Sequence, residues 1–198
     1  MHPCHSEETA EGLLLVHTGE INPVTGVTDD SRMETRTINQ KEIFMEFHRM
    51  NIHPVYWINS RTEIRSRLIN SLTHSQFPDV VENILPVYHA YEIFHLVDEN
   101  QMFPDMYVSI ERQQIGIIMQ ISSIRDVVLK KLKGYERQGQ ITEMAVKSVE
   151  NFTFDQLIEI FAREKYLKTR YSLFSNNCQM FIKNLNHVID SVINEESV

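Results

Sequence analysis

The stretch VYHAYEIFHLV, residues 87–97, decides the fold, because its side chains alternate and many of them are aromatic or branched. That composition and period are typical of a β-strand. Two further apolar runs, 106–112 and 115–122, predict two more strands joined by a tight turn at Gln113–Gln114. We therefore expect a small antiparallel sheet near the middle of the chain.

Helical patterns surround these strands. Six segments have apolar residues at helical spacing, and we predict helices there: 40–50, 61–73, 78–85, 123–134, 153–165 and 178–193. The fourth is expected to end at Gly134, and the fifth to begin with a Thr-x-x-Gln capping box. The segment 140–149 fits either a helix or a strand.

These patterns predict an α+β domain in which the sheet packs on helices. Residues 1–38 are rich in polar side chains and predict a mobile N-terminal arm, with one short strand near Leu13–Val16. Residues 39–85 predict a helical extension. Residues 86–198 hold the predicted core and form a single domain with the extension.

Composition excludes several classes of function. The formal charge of -8 argues against a nucleic acid or an anionic membrane held by bulk charge. Two cysteines in 198 residues make no disulfide framework, no apolar run reaches the length of a bilayer span, and the N-terminus lacks the pattern of a signal peptide. We expect a cytoplasmic protein with no transmembrane anchor. Peripheral contact with a membrane stays open.

Cys178 is the first candidate for chemistry, because it follows a Ser-Asn-Asn turn and opens the last predicted helix. Asn176 or Asn177 can cap that helix, and the N–H groups and dipole of a helix start lower the pKa of a thiol. The same N–H groups can bind an oxyanion. The alternative is a small buried residue, which free cysteine often is. Spacing alone does not choose.

A nucleophilic thiol needs a base, and two of the nine histidines lie on the first predicted strand. His89 and His95 share a face but lie roughly 20 Å apart, so only one can act on a given proton. Periodicity leaves both open. His187 lies about 13.5 Å along its helix from Cys178, too far to serve it. The HPCH segment at 2–5 offers few ligands in a polar arm, so we expect no metal and no cofactor.

The stretch YSLFSNNCQMFIKNL, 171–185, resembles the cysteine motif of the lecithin–retinol acyltransferase family and its phospholipase A/acyltransferase relatives. That motif reads Tyr-x-Leu-x-Ser-x-Asn-Cys-Glu-His-Phe-Val-x-x-Leu. The matching positions are Tyr171, Leu173, Ser175, Asn177, Cys178, Phe181 and Leu185, with Ile182 in place of Val. Upstream, VVLKKLKGYERQGQ is similar to the family's lysine-bearing segment. The resemblance covers roughly 85–190.

The resemblance implies a circularly permuted papain-like (NlpC-type) fold, with the base histidine on a strand before the cysteine helix. VYHAYEIF is similar to the family's histidine box, which assigns the base to His89, 178 − 89 = 89 residues before the cysteine. Ala90 stands where the family has Trp, and Gln179-Met180 stands where it has Glu-His.

A third group is predicted from strand pairing. If 87–97 pairs antiparallel with 106–112, the stretch from Ser109 to Arg112 lies opposite His89. Glu111 is then the first candidate to accept a hydrogen bond from Nδ1 of His89, with Ser109 and Gln120 behind it. The alternative for Glu111 is a solvated strand residue.

The predicted function is acyl transfer through a thioester on Cys178, by a hydrolase or an acyltransferase. Backbone N–H groups near Asn177 would bind the oxyanion, with Tyr171 as a second donor. The resemblance favours a lipid acyl ester as substrate. A cysteine peptidase or isopeptidase of the same fold is the second hypothesis, and a catalytically silent interaction module is the third.

Overall fold

A seven-stranded mixed sheet forms the centre of this computed structural model, and helices lie on both of its faces. The structure describes residues 13–58, 60–70, 88–137, 139–150, 152–163, 167 and 177–196. The strands are β1 Leu13–Ile21, β2 Thr28–Asn39, β3 Ser60–Asn70, β4 Tyr88–Asp98, β5 Met106–Gln113, β6 Gly116–Ser122, β7 Lys131–Leu132, β8 Tyr135–Glu136 and β9 Gln140–Val149.

The helices are short except for the last. Their bounds are α1 Ile43–His48, α2 Pro54–Ile58, α3 Arg125–Lys130, α4 Phe154–Arg163 and α5 Cys178–Glu196. A single 3-10 turn, Gln40–Glu42, precedes α1. Within the described residues, no helix is both long and apolar enough to cross a lipid bilayer.

The strand order is β2-β1-β6-β5-β4-β3-β9, and the separate pair β7-β8 forms a small hairpin. Every neighbouring pair in the large sheet is antiparallel except β1 with β6, which is parallel. The predicted α+β class is therefore confirmed at this coarse level. The expectation of a small antiparallel sheet was wrong, because the sheet has seven strands and one parallel pair.

The larger hydrophobic cluster lies between one face of the sheet and helices α1, α2, α4 and α5. Apolar residues of β4 to β6 that point to this face include Phe94, Val108 and Met119, all without exposed surface. A smaller cluster on the opposite face joins Ile69 of β3 and Tyr91 and Ile93 of β4 to Val128 and Leu129 of α3. The strands at the centre are thus covered on both sides, which explains why buried residues follow one another along β5 and β6 instead of alternating with exposed ones.

The helix predicted for 61–73 was wrong, since 60–70 forms strand β3. Ile64 and Leu68 lie four residues apart, a spacing that suits a helix and a strand equally well. In the strand, Thr62, Ile64 and Ser66 are buried on one face while Arg61 is exposed on the other. Two flanking strands, β4 and β9, supply the pairing that a period alone does not reveal.

The predicted mobile arm, residues 1–38, was wrong for residues 13–38, which lie in strands β1 and β2 of the large sheet and in the turn between them. The short strand expected at Leu13–Val16 is confirmed and continues to Ile21. Strand β2 has mostly exposed side chains because, in the described structure, it lies at the edge of the sheet, and β1 provides its hydrogen-bond partners. A polar edge strand therefore resembles a loop in sequence.

The remaining element predictions have mixed outcomes. The helix expected over 123–134 ends at Lys130 instead, because Lys131 is extended, with φ of -121° and ψ of 154°, and begins the β7–β8 hairpin. Lys133 and Gly134, with φ of 51° and 82°, form the two-residue turn of that hairpin. The turn after β5 contains Gln114 and Ile115. The ambiguous segment 140–149 is strand β9. The predicted helix 78–85 lies outside the described residues.

The helices expected near 40–50, 153–165 and 178–193 are confirmed as α1, α4 and α5. The capping box of α4 is also present, because the backbone N–H of Thr153 donates to Oε1 of Gln156 at 2.7 Å. In return, the backbone N–H of Gln156 donates to Oγ1 of Thr153 at 3.3 Å. Local sequence signals are sufficient for these three elements.

Candidate functional site

Cys178 is the first residue of α5 and is 5% exposed. Asn177 immediately before it caps the helix, because its Oδ1 accepts the backbone N–H of Met180 at 2.9 Å. The backbone N–H of Ala90 in β4 donates to Sγ of Cys178 at 3.4 Å. Helix α5 and strand β4 thus meet at the thiol. Cys178 begins the helix, as the nucleophile hypothesis predicts, and it is also buried, as the alternative of a small buried residue predicts.

Replacing Asn177 with alanine is expected to lower the free energy of unfolding by about 1 kcal/mol, because the cap of α5 would be lost. Urea denaturation followed by circular dichroism measures this change. Lys183→Ala on an exposed position of the same helix is the matched control and is expected to stay within about 0.5 kcal/mol of the wild type. Equal stability of the two variants would contradict the capping role.

His89 lies at the start of β4 and contacts both other members of the site. Its Nε2 is 2.5 Å from Oε2 of Glu111, and its ring is hydrogen-bonded to Cys178. Thiol, imidazole and carboxylate therefore form one hydrogen-bonded series.

Glu111 reaches His89 along a diagonal of the sheet. In the antiparallel register of β4 and β5, Glu111 pairs with Tyr91, which lies two residues after His89 on the same face. The predicted pairing of these strands is confirmed, but two details were wrong. The stretch Ser109 to Arg112 is not opposite His89, since Glu111 pairs with Tyr91, and the Glu111 carboxylate contacts Nε2 instead of Nδ1. The solvated alternative is excluded, because the side chain of Glu111 is 1% exposed.

The protonation states follow from these contacts. Burial alone lowers the pKa of His89, but its hydrogen bonds to Cys178 and Glu111 outweigh burial and raise the pKa to about 9. Burial raises the pKa of Glu111, but the hydrogen bond from His89 and the charge of Arg137 lower it to about 2. The geometry thus favours an imidazolium between two anions.

The thiol responds in the same direction. Burial raises the pKa of Cys178, but the hydrogen bonds from His89 and from the backbone N–H of Ala90 bring the pKa below its ordinary value. The backbone N–H of Gln179, in the first turn of α5, acts in the same sense. A thiolate facing an imidazolium is the state that nucleophilic cysteine chemistry requires.

Arg137 belongs to the site, and sequence reasoning missed it. Its Nη2 donates to Oε1 of Glu111 at 2.9 Å and its Nη1 donates to Oε2 at 3.2 Å. The guanidinium carbon also lies 4.1 Å from the ring centroid of Tyr91. A carboxylate in a central strand signals in sequence that a cation must be near. Nothing in sequence identified which of the arginines and lysines would provide it.

Two of the predicted support residues lie near the site without touching His89. Nε2 of Gln120 donates to the carbonyls of Val127 and Lys131 at 2.8 and 3.2 Å, and its Oε1 accepts the N–H of Lys133 at 2.9 Å. Gln120 therefore holds the connection between α3 and the β7–β8 hairpin. Ser109 is buried opposite Gln120 in the sheet, and its Oγ has no hydrogen-bond partner within the described structure.

The other residues considered for the site either lie away from the thiol or fall outside the described residues. His95 lies at the far end of β4, with its Nε2 2.8 Å from Oδ2 of Asp105 and its ring stacked on Tyr107. Tyr171 and the HPCH segment lie outside the described residues. Among those that are described, no group of three or more His, Cys, Asp or Glu side chains is placed to hold a metal ion.

The site combines a thiol with a lowered pKa, an imidazole and an ionised carboxylate at one end of β4. Such a series can carry nucleophilic catalysis, in which the imidazole transfers a proton while the thiolate attacks an electrophilic carbon. No family model, no curated protein and no solved structure matches this chain.

Proposed function

We propose that this protein is a cysteine hydrolase or acyltransferase that works through a thioester intermediate. One observation carries the proposal: His89 is hydrogen-bonded both to Cys178 and to the buried carboxylate of Glu111. The carboxylate orients the ring, and the ring favours the thiolate. Roles follow from these contacts, with Cys178 as nucleophile, His89 as general acid and base, and Glu111 as the orienting group.

In the first half of the reaction, the sulfur of Cys178 attacks the acyl carbonyl carbon and a C–S bond forms. The backbone N–H groups of Cys178 and Gln179 at the start of α5 are the proposed donors to the oxyanion. The bond between the carbonyl carbon and the leaving oxygen or nitrogen then breaks. The leaving group takes the proton of the His89 imidazolium, and the acyl group remains on the sulfur.

In the second half, neutral His89 removes a proton from water or from an acceptor alcohol or amine. The resulting oxygen or nitrogen nucleophile attacks the thioester, and the C–S bond breaks to restore the thiolate. Water as the nucleophile makes the protein a hydrolase, and another acceptor makes it an acyltransferase. The same residues serve both outcomes.

We propose a lipid acyl ester as the first substrate class, on the resemblance of 171–185 to the lecithin–retinol acyltransferase motif. The proposed fold is the permuted papain-like one. Its support is the chain order, in which the histidine strand β4 precedes the helix α5 that begins at the cysteine. A peptide or isopeptide substrate is the competing class for the same chemistry.

The test is to trap the acyl group on the enzyme. The purified protein is incubated with phosphatidylcholine vesicles, p-nitrophenyl esters of several chain lengths, and peptide amides, and intact mass is recorded after acid quenching. We expect an adduct of the acyl mass that maps to Cys178, largest with the lipid ester. Cys178→Ala should abolish it, and Cys4→Ser, which removes the chain's other thiol, should not.

Unchanged turnover in Cys178→Ala would remove the proposal. An adduct formed from peptide amides alone would replace the lipid class with a peptidase. A thiol that titrates at its ordinary pKa and takes no acyl group from any of the substrates would favour the silent interaction module.

A further inference from the structure

Arg137 is a buried cation whose place in the fold is tightly fixed. Its side chain is 3% exposed, and its backbone N–H donates to the carbonyl of Lys130 at 2.6 Å. Gln120 of β6 hydrogen-bonds to three backbone groups between α3 and the β7–β8 turn, so the sheet anchors the hairpin that ends just before Arg137. A guanidinium buried in this way is costly unless the contacts it makes recover the loss of hydration.

The contacts of Arg137 are made with Glu111 and Tyr91. Both terminal nitrogens bind the two carboxylate oxygens in a bidentate arrangement, which fixes the plane of the carboxylate as well as its charge. The face of the guanidinium lies over the ring of Tyr91. Oε2 of Glu111 accepts from both Arg137 and His89, so the carboxylate joins the cation to the imidazole.

The charge balance explains why a second cation is needed. When His89 is an imidazolium and Cys178 a thiolate, Glu111 and Arg137 bring the total of the four groups to zero. In the acyl-enzyme, His89 is neutral and the sulfur is a thioester, so Glu111 would be a buried anion with no cation if Arg137 were absent. A lone buried carboxylate takes up a proton and loses its value as an acceptor.

We propose that Arg137 is a positioning residue that keeps Glu111 ionised and bound to Nε2 of His89 through both halves of the reaction. The inference rests on the proposed function for the catalytic cycle. The pairing that it invokes, however, exists in the resting protein and can be tested without an acyl substrate.

Several charged or titratable groups surround Arg137 and His89, the two residues that bind the carboxylate of Glu111. Cys178 comes from α5, Glu111 from β5, and Tyr91 from β4, where burial raises the pKa of the phenol and keeps its ring neutral. Arg67 of β3 also acts on Tyr91, but its Nη2 binds Oε2 of Glu143 at 2.6 Å, so its charge is largely balanced there. Besides the imidazolium of His89, Arg137 is the cation of this group that binds Glu111 directly.

The test is the pH dependence of alkylation of Cys178 by iodoacetamide, in the full chain with Cys4→Ser as background. We expect the rate of alkylation to rise with pH in two steps, one for the ionisation of the thiol and one for that of the imidazolium, with no fall at high pH. In Arg137→Gln both ionisations should move upward by about one pH unit, because a nearby positive charge is removed and protons bind more tightly. Arg65→Gln, an arginine of the same sheet face that pairs with Glu143, is the control and should cause no shift.

Arg137→Lys covers the case in which Arg137→Gln does not fold, because it retains the buried charge but loses the bidentate geometry. We expect its alkylation profile to stay within a few tenths of a pH unit of the wild type, while kcat falls about tenfold at unchanged KM. The alkylation profile thus reports the charge of residue 137, and kcat reports the orientation that the bidentate contact gives to Glu111.

An alkylation profile of Arg137→Gln equal to that of the wild type would overturn the inference, as would a wild-type kcat in Arg137→Lys. Failure of the proposed function is recognised separately. It would leave no acyl adduct on Cys178, while the shift of the alkylation profile in Arg137→Gln would still support the pairing of Arg137 with Glu111 and His89.

Discussion

His89→Gln is expected to lower kcat/KM for the acyl substrates by about 10²–10⁴-fold, the usual contribution of a general acid–base group. Cys178 would lose the hydrogen bond that most lowers its pKa, so the pKa of the thiol should rise from its lowered value. The leaving group would also lose its proton donor. Initial rates with the preferred p-nitrophenyl ester measure the first effect, and iodoacetamide alkylation at several pH values measures the second.

His95→Gln is the matched control, because this second histidine lies on the same face of β4 and also contacts a carboxylate, Asp105. It does not contact the thiol, so we expect kcat/KM within about twofold of the wild type and an unchanged alkylation profile. A large loss of rate in His95→Gln with normal rates in His89→Gln would reverse the assignment of the base. Similar losses in both would indicate that the substitutions act through the fold.

The elements nearest the site were readable from sequence because their signals are local. Strands β4, β5 and β6 have dense apolar and branched residues, and α5 begins at a polar turn that supplies its cap. Once β4 and β5 were expected to pair, the stretch from Ser109 to Arg112 was expected near His89. The observed register, with Glu111 opposite Tyr91, is what puts the carboxylate on the face of His89.

The rest of the sheet depended on contacts between distant parts of the chain. β1 pairs with β6 across about a hundred residues, and nothing in the sequence of β1 identifies that partner. β3 carries an ambiguous period, and β2 is too polar to resemble a strand. Tertiary pairing decided each of these segments against its local pattern.

Arg137 illustrates a different limit. The burial of Glu111 requires a compensating cation, but Arg137 lies 26 residues later, after a hairpin of two-residue strands. Its position depends on the turn at Lys133–Gly134 and on the backbone contacts of Gln120. Such an irregular connection has no hydrophobic period from which a side-chain direction can be predicted.

Glu111→Leu is expected to lower the free energy of unfolding by about 3–5 kcal/mol, because it leaves Arg137 buried without a counter-charge. The double variant Glu111→Leu/Arg137→Leu should recover at least about 1 kcal/mol of this loss, since it removes the stranded cation as well. Urea denaturation of the wild type, both single variants and the double variant gives the coupling energy. Asp126→Leu, which removes the exposed partner of Lys130, is the control and should leave the free energy of unfolding close to that of the wild type.

The pH dependence of the same comparison separates charge from packing. The pKa of Glu111 in the folded protein, about 2, lies below its value of about 4.3 in an unfolded chain. Its contribution is therefore fully present above about pH 4.3 and disappears as the pH falls toward 2, so the stability difference between wild type and Glu111→Leu should shrink over that range. A difference that stays constant there would assign the loss to packing. The double variant should be more stable than Glu111→Leu yet still catalytically impaired, because a leucine pair can fill the space of the ion pair but cannot hold Nε2 of His89.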